Sequence, residues 1–173
     1  SPILRNYTFP GFYKPFRHQL LTSSFLSLNQ RCFCFNETGT GKTSSVVWAA
    51  DYLMKSKVIK KVLVICPLSI MSSAWRTDIL QTAMHRTVGI AYGKPETRKE
   101  VISKGYDFVI INYDGLDIVS EDIIRQNFDL IVVDEANAYK NPSTKRWKVL
   151  NKIMNPSTWL WMLTGTPASQ SPV

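Results

Sequence analysis

Residues 32–48 read Cys32-Phe33-Cys34-Phe35-Asn36-Glu37-Thr38-Gly39-Thr40-Gly41-Lys42-Thr43-Ser44-Ser45-Val46-Val47-Trp48. An apolar run, a glycine-rich turn and a helix-like stretch follow one another without a break, which predicts strand, loop and helix. Successive backbone N–H groups of such a turn point inward at a phosphate, and the helix N-terminus adds favourable dipole charge. Glycine is needed at 39 and 41 because a Cβ would block the close approach of the backbone. Lys42 can reach the β- and γ-phosphates, and the Thr43 hydroxyl can ligate Mg²⁺. The usual pattern opens with glycine six residues before the lysine, and here that position is Asn36. The segment predicts a bound nucleoside triphosphate.

Outward from this loop, short apolar runs alternate with longer amphipathic stretches. Strands are predicted at 32–35, 62–66, 88–92, 108–112, 130–133 and 159–163. Helices are predicted at 17–28, 42–55, 70–82, 95–104, 120–127 and 144–154. Continuous apolar strands separated by helices imply an α/β fold with a mostly parallel sheet covered on both faces. Ligands of such a sheet bind outside the carboxyl ends of its strands. Five polar or turn-rich segments fall there: 36–43, 67–75, 112–116, 134–137 and 164–167.

At 173 residues the chain is long enough for one domain with a sizeable core. No apolar run approaches the ~20 residues needed to span a bilayer, and the first residues lack the apolar core of a signal peptide. Cys32, Cys34 and Cys66 are an odd number for a disulfide framework, and each lies in an apolar strand run. Reduced core thiols in a cytoplasmic protein, with the nucleus left open, are the expectation. Zinc is not expected, since only His18 and His85 could join the Cys-x-Cys pair. Lys and Arg outnumber Asp and Glu by 21 to 13, a net charge of +8. That balance favours polyanionic partners, nucleic acid first.

Asp129-Leu130-Ile131-Val132-Val133-Asp134-Glu135 is an apolar strand that ends in two acids. With a phosphate cradle in the same chain, a cation is expected there, and Mg²⁺ takes carboxylate, water and phosphate ligands. Asp134 is assigned to Mg²⁺ through a bound water, together with Thr43. Glu135 would orient or deprotonate the water that attacks the γ-phosphate. Such catalysis is positioning plus charge neutralisation. Glu135 and Lys42 are therefore the expected catalytic side chains. A helix N-cap by Asp134 is the plainer alternative.

Asp134-Glu135-Ala136-Asn137 resembles the motif II box of superfamily 2 helicases and translocases, and most of all their Swi/Snf-type subfamily. Other segments resemble the family's motifs in the right order. Phe16-Arg17-His18-Gln19 is similar to the Q-motif region, which would put Arg17 and Gln19 at the nucleotide, with Gln19 on the adenine edge. The loop through Thr38, Gly39, Thr40, Gly41, Lys42, Thr43 and Ser44 resembles motif I, and superfamily 2 members commonly lack its first glycine. Ile65-Cys66-Pro67-Leu68-Ser69, followed by Trp75, is similar to motif Ia, and Ile110-Ile111-Asn112-Tyr113-Asp114 stands where motif Ib does. Lys140-Asn141-Pro142-Ser143-Thr144-Lys145-Arg146 resembles the stretch after motif II, and Leu163-Thr164-Gly165-Thr166-Pro167 resembles motif III.

The resemblance implies a RecA-like ATP-binding domain over 1–173, with ATP and Mg²⁺ bound. It also implies a DNA-dependent ATPase that moves on double-stranded DNA. Ser69, Ser72, Asn112 and Tyr113 would face nucleic acid, although from spacing alone helix capping is the better reading of the serines, and a turn is the plain alternative for Asn112 and Tyr113. Arg98 is assigned to a nucleic-acid backbone, with solvent as its alternative. Asn137, Thr164, Gly165 and Thr166 would couple the nucleotide to the rest of the motor. Position 137 departs from the family, which usually has His there. The family also carries a second RecA-like domain with an arginine finger, expected beyond Val173 in a longer protein. A nucleotide-gated binding module without motor activity is the alternative. A kinase or GTPase lacks support, because no Asn-Lys-x-Asp base-reading segment is present. Trp48 and Trp75 are read as core residues.

Overall fold

The structure, a computed structural model, describes residues 1–35, 41–139, 141 and 143–165. Its frame is a parallel sheet of β1 (Arg31–Phe35), β2 (Val62–Ile65), β3 (Val88–Ala91), β4 (Phe108–Ile111), β5 (Leu130–Asp134) and β6 (Trp159–Thr164). The strands lie side by side in the order β1-β6-β5-β2-β4-β3, and every neighbouring pair is parallel. β2, β4 and β5 are buried along their whole length, so their runs are apolar on both faces. The flanking strands β1 and β3 alternate buried and half-buried positions, as strands with one less protected face do.

The period of two in the strands divides the core. Val62, Val64, Phe108, Ile110, Leu130 and Val132 face one layer, formed by α2 (Arg17–Leu28), α3 (Lys42–Lys55) and α4 (Thr77–Thr82). Leu63, Ile65, Val109, Ile111, Ile131 and Val133 face the other, formed by α5 (Pro95–Ser103), α6 (Ser120–Gln126) and α7 (Lys145–Ile153). The chain steps toward β3 through α3 and α4 on the first face and returns through α5, α6 and α7 on the second. Right-handed crossovers require that change of face when the direction of travel reverses.

Two local features differ from the sequence expectation. A short helix, Pro2–Asn6, precedes α2; five residues are too few for a periodic signal, yet proline in its first turn and a fully buried Ile3 fix it. The helix expected over 70–82 is instead wound in three ways: a 3-10 turn at Leu68–Ile70, a π-helix at Met71–Arg76, and only then α4. The Thr77 hydroxyl donates to the Ser72 carbonyl five residues back at 3.0 Å, in step with the wider turn. That wider turn carries Trp75 inward to full burial. No helix among the described residues is long and apolar enough to cross a membrane.

Candidate nucleotide site

Because all strands run the same way, their carboxyl ends share one edge. There β5 delivers Asp134, with its carboxylate fully buried. The N-terminus of α3 delivers Lys42 from the other side, and its Nζ lies 2.6 Å from Asp134 Oδ1. The lysine reaches this point because Gly41 caps α3 in the left-handed region, at φ 74°, and turns the chain sharply into the helix. A Cβ on Gly41 would collide with the Gln19 amide, so the glycine is also a packing requirement.

Asp134 Oδ2 accepts a second hydrogen bond, 2.9 Å from the Trp75 indole N–H. Thr43, 5% exposed, donates its hydroxyl to Asp78 at the start of α4. Glu135, the next residue after β5, is exposed and sits at φ 71°. This conformation is unusual for a residue with a side chain, and such positions cluster at functional sites. Cys66, just past β2, is pushed up to about 12 by burial first and then by the Asp134 charge, with Lys42 opposing. It is a neutral thiol at pH 7.

Two hollows flank the Lys42–Asp134 pair. One, about 210 Å³, is lined by Phe12, Tyr13, Phe16, Gln19, Gly41 and Ser44 among others. Gln19 is 6% exposed. Its Oε1 accepts from the Phe16 backbone N–H at 2.8 Å, and its Nε2 donates to the Gly41 carbonyl at 3.2 Å. It thus satisfies the backbone N–H at the start of α2 and braces the turn into α3. A carboxamide has two N–H groups and two acceptor lone pairs, so one of each remains for a base edge. Arg17, beside it in α2, is exposed.

The other hollow, about 300 Å³, is lined by Pro67, Asn112, Tyr113, Asp134, Glu135 and Arg146 among others. Arg146 stacks its guanidinium 4.1 Å from the Tyr113 ring centre. Tyr139 packs edge-on to Tyr113 and Trp147. Its hydroxyl is pushed up to about 12, by burial first, with the Arg146 charge opposing and the Tyr113 phenol adding a smaller rise.

The SNF2-related domain family profile matches residues 21–172, nearly the whole chain. The chain belongs to the SNF2-related domain family. Among relatives of this SNF2-related chain is an uncharacterized ATP-dependent helicase of Mycoplasma pneumoniae. It is 30% identical over 134 residues, which is 76% of this chain and 13% of that protein. An ISWI chromatin-remodeling complex ATPase of Saccharomyces cerevisiae is 29% identical over 138 residues, 76% of this chain and 12% of that protein. The chain therefore spans about an eighth of the length of each of these two relatives. Among solved structures, the SWI2/SNF2 ATPase core of Sulfolobus solfataricus, determined with double-stranded DNA, superimposes with a TM-score of 0.81. It is 24% identical and covers 92% of this chain and 33% of that one. The fold is accordingly that of the RecA-like SNF2 ATPase core.

The SNF2-related fold brings some of the sequence-assigned residues together and leaves others apart. Gln19, Gly41, Lys42, Thr43, Ser44, Asp134 and Glu135 gather at one edge. Ser44 Oγ lies 3.1 Å from Thr82 Oγ1. Thr164 ends β6 and is buried, and Gly165 follows it exposed. Ser69 and Ser72 are exposed on the turns before α4, Asn112 is buried, and Tyr113 is half-buried. Arg98 lies with its guanidinium against Gly115, where a Cβ would come within 3.0 Å of Arg98 Cζ. Thr38, Gly39, Thr40 and Thr166 lie outside the described residues, as does the side chain of Asn137. Sequence reasoning passed over Asp78, Tyr139 and the stacking role of Arg146, none of which carries a spacing signal of its own. It read Trp75 as core without its polar contact.

Proposed function

We propose that this chain is the ATP-binding half of a DNA-dependent ATPase motor that moves on double-stranded DNA. One observation carries the reading: Lys42 at the N-terminus of α3 and Asp134 at the end of β5, 92 residues apart, meet at 2.6 Å on the ligand-binding edge of the sheet. A lysine and a carboxylate poised this way fit a triphosphate and its divalent cation, since one has ammonium protons for phosphate oxygens and the other an anionic oxygen for a hydrated cation. Thr43 and Asp134 would hold Mg²⁺, which when bound neutralises phosphate charge. Lys42 binds the phosphates, and Glu135 holds the attacking water and takes its proton. The Gln19 hollow, with the exposed rings of Phe12 and Tyr13 at its wall, suits an adenine ring stacked on an aromatic face.

Double-stranded DNA as the track draws its support from the net charge of +8 and from the DNA complex of the Sulfolobus SWI2/SNF2 ATPase core. A second RecA-like domain would close over the open edge and supply an arginine to the γ-phosphate. The short share of each relative that this chain covers is consistent with that arrangement.

The test is ATP turnover by the full-length protein with and without duplex DNA. Turnover should rise with DNA in the wild type. Glu135→Gln should keep ATP binding while losing hydrolysis, and Lys42→Ala should lose binding. Normal hydrolysis by Glu135→Gln with DNA present would move the role of base to another residue. Nucleotide binding with no DNA-stimulated turnover would favour a nucleotide-gated binding module.

A further inference from the structure

Both side chains proposed for the magnesium site are gripped by a single stretch of chain, which runs from the π-helix Met71–Arg76 into α4. Trp75 Nε1 donates to Asp134 Oδ2 at 2.9 Å. Asp78, one turn further on, accepts from the Thr43 hydroxyl. A fully buried tryptophan ordinarily finds some acceptor for its N–H, and a backbone carbonyl would serve that need. Here the acceptor is instead the carboxylate of the site, and the same segment also grips the site's hydroxyl.

We propose that Trp75 and Asp78 are positioning residues of the metal–nucleotide site; this rests on reading that site as one for Mg²⁺ and ATP. The reasoning is one of donors and lone pairs. Asp134 has two carboxylate oxygens. Oδ1 is held by Lys42, whose ammonium is also the group that serves phosphates. Oδ2 is held by an indole N–H, a neutral donor fixed in the core that has no other task in the site. When Lys42 turns to a phosphate, Trp75 keeps the carboxylate plane where it is and Oδ1 is left pointing outward. Thr43 is arranged in the complementary way. A hydroxyl has one proton and two lone pairs; committing the proton to Asp78 turns the lone pairs away from Asp78 and makes the oxygen available to a cation. Outer partners of this kind orient metal ligands, and their loss typically costs 10–100-fold in metal affinity.

The experiment uses the full chain and the variants Trp75→Phe, which removes the N–H while retaining an aromatic ring, and Asp78→Ala, which removes the acceptor of the Thr43 hydroxyl. ADP affinity is measured by calorimetry with Mg²⁺ and again in EDTA. The ratio of the two affinities should fall about tenfold in each variant, and the Mg²⁺ concentration for half-maximal nucleotide binding should rise correspondingly. In the wild type, the Trp75 indole ¹H–¹⁵N resonance, assigned by its loss in Trp75→Phe, should shift when Mg²⁺ is added to the ADP complex. An unchanged ratio in a folded variant, or an indole resonance indifferent to Mg²⁺, overturns the proposal. If Trp75→Phe does not fold, an unchanged ratio in Asp78→Ala is by itself sufficient to overturn it. A wild-type protein that binds ADP equally well with and without Mg²⁺ would instead overturn the magnesium reading beneath it.

Discussion

Asp51, in the middle of α3, has a fully buried carboxylate, an expensive placement unless every charge and lone pair is answered. Three partners answer it. Tyr7 Oη donates at 2.6 Å, Arg86 Nε at 2.6 Å, and His85 Nε2 lies 2.8 Å away. Burial pushes this carboxyl up, but the bonds from Tyr7, Arg86 and His85, with the Arg86 charge, outweigh it and hold the group below its ordinary 3.8. A carboxyl with a depressed folded pKa contributes stability that is present above the unfolded value and lost as pH falls through the folded one. The wild type should therefore lose stability below about pH 4, and Asp51→Asn should flatten that acid limb. Leaving Arg86 without its counter-charge should also cost about 3 kcal/mol at neutral pH. Urea unfolding of both proteins between pH 3 and 7 checks both expectations; an unchanged acid limb in Asp51→Asn would assign the pH dependence to other carboxylates.

At the scale of elements, the turns on the carboxyl edge place the site, and α7 shows how such a turn is held. Its N-cap, Thr144, has extended backbone and accepts from the Trp147 backbone N–H at 3.4 Å through Oγ1. That bond sets the start of the helix that carries Arg146 over Tyr113. Thr144→Ala should cost about 1 kcal/mol of stability, the usual worth of a lost cap, and Thr144→Ser should restore most of it. A thermal or urea melt of the three proteins measures this, and an alanine variant as stable as wild type would mean that the long bond contributes nothing. The π-helix before α4 is the other telling element. Apolar spacing over 70–82 reads as one amphipathic helix, yet the need to bury Trp75 against the sheet end selects a wider turn.

For the whole molecule, the decisive property is which side of the site stays open. Asp134 and Thr43 are buried, whereas Glu135 is exposed. Charge that builds on a γ-phosphate at this edge would face water on the Glu135 side, and transition-state stabilisation needs fixed donors in a water-poor site. Residues 1–173 alone should bind ATP with turnover near background, and bind duplex DNA weakly, with affinity falling as salt rises. Colorimetric phosphate release by the purified chain, with Lys42→Ala as control for contaminants, checks this. Strong DNA-stimulated turnover by this chain alone would show that no opposing domain is needed.

The strands, their order along the chain and the acidic strand end were legible in the sequence, because each is a local signal. Apolar runs mark β2, β4 and β5, Gly41 marks the turn into Lys42, and α2 and α3 begin and end where periodicity places them. The sequence also indicated the family, through motifs in a fixed order. Only the tertiary structure decided which distant groups share a hydrogen bond. Trp75 with Asp134, Asp78 with Thr43, Gln19 with Gly41, and Asp51 with Tyr7 and Arg86 are separated by 59, 35, 22, 44 and 35 residues. No spacing rule links such pairs. They meet because the strand order and the face each helix covers fix their positions, and because a buried donor or charge must then find a partner among the groups the fold has placed within reach.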